Sequence, residues 1–158
     1  MKKLPKVFKV IWPLLALISG ACQQSFDKVP FSHQNPPISA SLALDYEGFV
    51  VLVEQQATFL LTITNSRCTC TSEFMPLYDN FIEANNIAGY TLEYTEVLYE
   101  PVKHGLPVID SNSPILTIYQ DGNLKYSLTY KIGDANFNRP FTDYDALSQY
   151  LEARIDVS

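Results

Sequence analysis

Positive charge is scarce in this 158-residue chain: eleven lysines and arginines stand against seventeen aspartates and glutamates, a formal net charge of −6. An acidic surface repels phosphates, which excludes a nucleic-acid interface. There is no basic stripe, Gly-rich phosphate loop, heptad pattern or internal repeat. Histidine is nearly absent, with His33 and His104 the only two. Zinc prefers four ligands, and no second cysteine pair completes a set, so neither a metal site nor another cofactor is expected. His33 reads as a solvated linker residue and His104, in "PVKHGLP", as a loop residue. The acids are scattered and offer no spaced carboxylate pair for acid–base chemistry.

Apolar residues are not lacking. They make up 47% of the chain and aromatics 13%, enough to build one core of moderate size. The segment "MKKLPKVFKVIWPLLALISGAC" opens with Lys2, Lys3, Lys6 and Lys9, runs apolar from Val10 to Ile18 and ends in small residues before Cys22. That build is a secretory signal peptide, because the apolar stretch is too short to remain as a bilayer-spanning helix. Its ending, Ile18-Ser19-Gly20-Ala21-Cys22, resembles the bacterial lipobox, with Ser19 where leucine is commonest. The resemblance implies lipidation of Cys22 and a membrane anchor on the extracytoplasmic face. Cleavage before Cys22 removes four cations and no acid, leaving seven against seventeen, or −10. The expected organisation is a lipoprotein signal peptide over 1–21, a lipidated N-terminus and flexible linker over 22–41, and a folded domain over 42–158. The linker assignment rests on the Pro, Gln and Ser content of "QQSFDKVPFSHQNPPISAS".

Within the domain, Tyr46, Phe49, Val50 and Val53 recur at helical spacing. "ATFLLTIT", 57–64, is a continuous apolar and β-branched run suited to a central strand buried on both faces. Phe74, Leu77, Tyr78, Phe81 and Ile82 mark one face of a helix that carries Pro76 and ends near Asn85-Asn86. "YTLEYTEVLY" reads as a second strand, and "PILTIYQDGNLKYSLTY" as two strands joined by a turn at Asp121-Gly122. "FTDYDALSQYLEARI" closes the chain as a helix, with Thr142 expected as its cap and Asp145 at the return position of a capping box. The fold class that follows is a three-layer α/β domain.

The cysteines sit where the apolar run hands over to the Pro76 helix, in "SRCTCTSEFMP". Pro76 is eight residues beyond Cys68, Pro114 is thirty-eight beyond Pro76, and Asp121-Gly122 falls seven and eight beyond Pro114. With the element order, this register resembles the thioredoxin fold over about residues 42–155. It implies an α/β/α sandwich with a mixed central sheet, an attacking cysteine at Cys68, and a cis Ser113–Pro114 bond beside it where an extended substrate pairs in strand fashion. The general appearance is similar to membrane-anchored thioredoxin-like proteins of Gram-positive bacteria, including bacteriocin transport accessory proteins. Three departures stand out. Thr71 occupies the place of the usual second cysteine, giving Cys68-Thr69-Cys70-Thr71. Thr62 stands where thioredoxins often bury an aspartate. Arg67 replaces the usual tryptophan.

A thiolate at a helix N-terminus is stabilised by unpaired N–H groups and the helix dipole, so Cys68 is the expected nucleophile, with Arg67 adding to the effect if it turns inward. If Cys22 carries lipid, Cys68 and Cys70 remain as the candidate pair in an oxidising compartment. Residues i and i+2 of a regular helix point to nearly opposite sides, so a Cys68–Cys70 bridge requires the first turn to unwind or begin later. Such a bridge is expected to be strained and to act as an oxidant or isomerase. Alternatively Cys68 acts alone, with Thr71 donating to its thiolate. Two functions follow from these readings. One is a tethered thiol-disulfide oxidoreductase acting on protein or peptide thiols. The other is a non-catalytic thioredoxin-fold accessory lipoprotein of an envelope or peptide-export complex.

Overall fold

A computed structural model describes residues 27–97, 105–107 and 114–157. Its centre is β3 (Phe59–Thr64), whose six residues are all buried, as an uninterrupted apolar and β-branched run requires. On one side β3 pairs in parallel with β4 (Gly89–Glu93), and β4 with the edge strand β2 (Leu42–Leu44). On the other side it pairs antiparallel with β5 (Ile115–Gln120), which turns into β6 (Asn123–Thr129). The strand order is β2-β4-β3-β5-β6. The β5–β6 turn uses the left-handed region at Asp121 (φ 51°) and Gly122 (φ 73°). Gly122 has a second reason to be glycine: a Cβ there would lie 2.3 Å from the Val53 carbonyl oxygen.

Helices cover both faces. Helix α1 (Tyr46–Glu54), capped by Asp45 through Gly48 N–H, buries Phe49 against Phe59, Leu61, Ile63 and Tyr119. The opposite face receives α2 (Thr69–Asn85) through Phe74, Tyr78, Phe81 and Ile82, and α5 (Tyr144–Glu152) through Leu147 and Leu151. Asn86, left-handed at φ 49°, ends α2, and Pro76 lies within that helix. The expected three-layer sandwich with a mixed sheet is what forms.

Three local expectations change. Residues 29–31, placed in the linker, form β1 (Val29–Phe31), parallel to β7 (Ile155–Val157) at the opposite end of the chain. Val29 and Phe31 are buried in the α2/α5 core, and apolar burial outweighs the Pro-rich composition around them. The strand expected over 90–99 stops at Glu93 and is followed by a short helix α3 (Tyr94–Val97), while residues 98 and 99 lie outside the described set. Thr142 does not cap the last helix. It ends a separate turn of helix, α4 (Arg139–Thr142), and Asp143 takes the cap of α5, accepting from Ala146 N–H at 2.9 Å.

Candidate redox site at the head of helix α2

Strand β3 delivers the chain into a turn whose backbone groups are almost all engaged. Asn65, 7% exposed, accepts from Cys68 N–H through its carbonyl (2.9 Å) and from Arg67 N–H through Oδ1 (2.9 Å), and its own N–H donates to Thr71 Oγ1 (3.2 Å). Thr71 N–H closes back on the Cys68 carbonyl (3.1 Å). Glu93, at the end of β4, accepts from Ser66 N–H (3.0 Å) and Ser66 Oγ (3.3 Å) on one oxygen and from Thr64 Oγ1 (3.3 Å) on the other.

This turn makes Cys68 the N-cap of α2, extended at φ −94° and ψ 126°, so the helix begins one residue later, at Thr69. The later start removes the geometric objection to a pair two residues apart. Cys68 and Cys70 are joined as a disulfide with their Cα atoms 5.1 Å apart. Their exposures differ: Cys68 is half-buried, whereas Cys70 is 7% exposed and heads the buried face that continues through Phe74 and Tyr78. An incoming sulfur therefore meets Cys68 first.

Arg67 is exposed, and Thr71 is buried with its hydroxyl on the turn backbone. Pro114 is buried directly before β5. Because Ile63 is opposite Ile115, Pro114 stands beside the end of β3, and its carbonyl accepts from Tyr130 N–H (3.0 Å). Ser113, the Ser113–Pro114 bond, His104 and Cys22 lie outside the described residues. Next to Pro114, Tyr130 is one wall of a cavity of about 240 Å³ completed by Gly133, Asp134, Ala135, Asn138 and Thr142. Among the described residues no group of three or more metal-ligating side chains comes together, and no helix is long and apolar enough to cross a membrane.

Thr62 is fully buried, and its Oγ1 makes no hydrogen bond of good geometry; the group that interacts with it is the Tyr78 phenol. Tyr78 donates to the Tyr90 carbonyl (3.2 Å), and burial pushes its phenol far above the ordinary tyrosine range. Sequence reasoning found the cysteines and Thr62 but missed Asn65 and Glu93. Asn65 carried a usable signal, an asparagine between a strand and a helix, where its side chain folds back on the turn. Glu93 carried none, since only the β3–β4 register, with Thr64 opposite Glu93, brings it to the turn.

No family model matches the chain, and no curated protein matches it in sequence. Solved structures do match it in shape. The complex of ferredoxin:thioredoxin reductase with thioredoxin f2 matches with a TM-score of 0.53 at 15% identity, over 74% of this chain and 96% of the matched chain. A protein with a thioredoxin fold matches at 0.50 and 15%, over 70% of this chain and 92% of its own. Trxlp from Edwardsiella tarda matches at 0.50 and 14%, over 70% of this chain and 98% of its own.

Proposed function

We propose that this chain, which has the thioredoxin fold, is a thiol-disulfide oxidoreductase tethered to the outer side of the cytoplasmic membrane through lipid on Cys22. The observation that carries the redox reading is the Cys68–Cys70 disulfide at the head of α2, with its outer sulfur accessible and its inner one buried. A substrate thiolate attacks Cys68 Sγ, the Cys68–Cys70 bond breaks, and Cys70 leaves as a thiolate. A second substrate thiolate then attacks the substrate sulfur of the mixed disulfide and releases Cys68. The substrate gains a disulfide, the protein becomes a dithiol, and one electron pair has moved between them. The leaving Cys68 thiolate is stabilised by the free N–H groups of the first turn of α2. Run backwards, the same steps reduce or isomerise a substrate disulfide.

Protein or peptide substrates suit a half-buried Cys68 that a large partner can still reach, and the cavity beside Tyr130, whose N–H is bonded to Pro114, is the neighbouring recess that such a partner could enter. A thioredoxin captured with its reductase, in one of the similar structures, is a protein–protein complex of that kind. The signal-like segment and lipobox-like ending support export and anchoring, and a Gram-positive bacterium is the host that this arrangement suits. Replacing Cys68 with Ser in the full-length chain is expected to abolish exchange with a reporter disulfide. Unchanged exchange would falsify the reading.

A second reading draws on Thr62 and Thr71. A buried hydroxyl where a proton-carrying acid is usual, and a threonine where a second cysteine is usual, suit a thioredoxin-fold accessory protein that binds without turnover, such as one serving a peptide exporter. It predicts full function in a Cys68→Ser/Cys70→Ser double variant, which the oxidoreductase reading forbids.

A further inference from the structure

A pair two residues apart closes a disulfide efficiently only if the chain ahead of the helix is held where Cys68 faces Cys70. The contacts that hold it come from two sources. Asn65 acts within the turn, but Glu93 comes from another strand and reaches Ser66, two residues before Cys68, with both a backbone and a side-chain hydrogen bond. Its second oxygen takes the Thr64 hydroxyl, so one carboxylate spans the β3 terminus and the turn. Glu93 is half-buried at the end of β4, and among the described residues no cation pairs with it. Its charge is compensated instead by these donors. Hydrogen bonds to a charged acceptor are the stronger kind, about twice a neutral pair.

We infer that Glu93 is a positioning residue for the cysteine pair: its carboxylate fastens Ser66, and thereby fixes Cys68 as the N-cap of α2 within reach of Cys70. The inference deepens the oxidoreductase reading, on which its catalytic consequence rests. Glu93 touches neither sulfur and acts only through the turn.

The test is the equilibrium between the Cys68 and Cys70 thiols and glutathione in the full-length chain, read by alkylation and peptide mass so that Cys22 does not interfere. Glu93→Ala is expected to lower the effective concentration of the pair about tenfold, the order of one hydrogen bond to a charged acceptor. Glu93→Gln keeps an oxygen for Ser66 N–H and is expected to stay within about threefold of the parent. Rescue by Gln separates positioning from a general loss of stability. A Glu93→Ala equilibrium equal to the parent's, or a Glu93→Gln equilibrium as low as that of Ala, overturns the inference. If Glu93→Ala does not fold, the Glu93→Gln comparison with the parent decides, a fall of tenfold counting against it. The readout needs no turnover, so an inactive Cys68 in the exchange assay sinks the functional reading while leaving this equilibrium to be judged alone.

Discussion

Thr62→Val removes one oxygen from a fully buried position of the central strand and leaves the side-chain shape almost unchanged. In the parent, Oγ1 is fully buried in β3 without a hydrogen-bond partner. An unpaired buried hydroxyl costs about 1–3 kcal/mol of desolvation. The Tyr78 phenol next to it interacts with the hydroxyl and offsets part of that, so the lower end applies. Valine suits a strand at least as well as threonine, and its added methyl lies on the face of β3 shared with Leu60 and next to Leu116, its partner on β5. The variant is therefore expected to gain about 1 kcal/mol in urea unfolding and about 3 °C in Tm, with disulfide exchange within about twofold of the parent. A loss of 1 kcal/mol or more would refute the reasoning, because it would mean that the hydroxyl is bonded in solution, with Tyr78 the nearest candidate. Thr62→Asp supplies the opposite case. A carboxyl at this site has its pKa raised by burial, so its destabilisation is expected to reach about 3 kcal/mol at pH 7 and to shrink at pH 5, where the neutral form predominates.

Burial raises the phenol pKa values of Tyr78, Tyr119 and Tyr150, so the unfolded chain ionises first as pH rises. Their contribution is intact below the free tyrosine value of about 10 and is lost above it, at roughly 1.4 kcal/mol per pH unit for a fully buried tyrosine. Stability measured between pH 9 and pH 11 is expected to fall, and Tyr78→Phe to flatten the fall; an equal slope in the variant would count against the assignment. Asp143→Ala removes the cap of α5 and is expected to cost about 1 kcal/mol, whereas Thr142→Ala costs at most a few tenths. Equal losses in thermal unfolding would restore Thr142 as the cap. Gly122→Ala combines a left-handed φ with a Cβ 2.3 Å from Val53 O, and a loss of about 3 kcal/mol is expected in denaturant titration. A loss below 1 kcal/mol would show that the hairpin turn moves freely off α1.

What the sequence made legible was local and dense. β3 announced itself by a continuous run of apolar or β-branched residues, α2 by five aromatic and aliphatic side chains at helical spacing, and the β5–β6 hairpin by Asp-Gly. The cysteine pair was legible because its distances from Pro76, Pro114 and the hairpin turn are set by chain length alone. What escaped was decided by partners far away in sequence. β1 and β7 are three residues each, too short for any period, and each gains its stability from the other across the length of the chain. The cap of α5 escaped because Thr-x-x-Asp at 142–145 satisfied a capping box on paper, while the extra helical turn of α4 shifted the real start by one residue. Glu93 escaped for the β1 reason: a register between parallel strands, and no local pattern, brings it to Ser66.

The β1–β7 pair also fixes a working radius. With lipid on Cys22, as proposed, a twenty-residue linker would let the domain range about 70 Å from the bilayer when fully extended. Because Val29 is locked beside Ile155 and the Asp27 carbonyl is held by the Tyr126 hydroxyl at 2.9 Å, only the five steps from Cys22 to Asp27 lie outside those contacts. Five residues reach no further than about 18 Å. An oxidoreductase so tethered, as proposed, would meet its substrates at the membrane surface, as they emerge, and would rarely reach those already released.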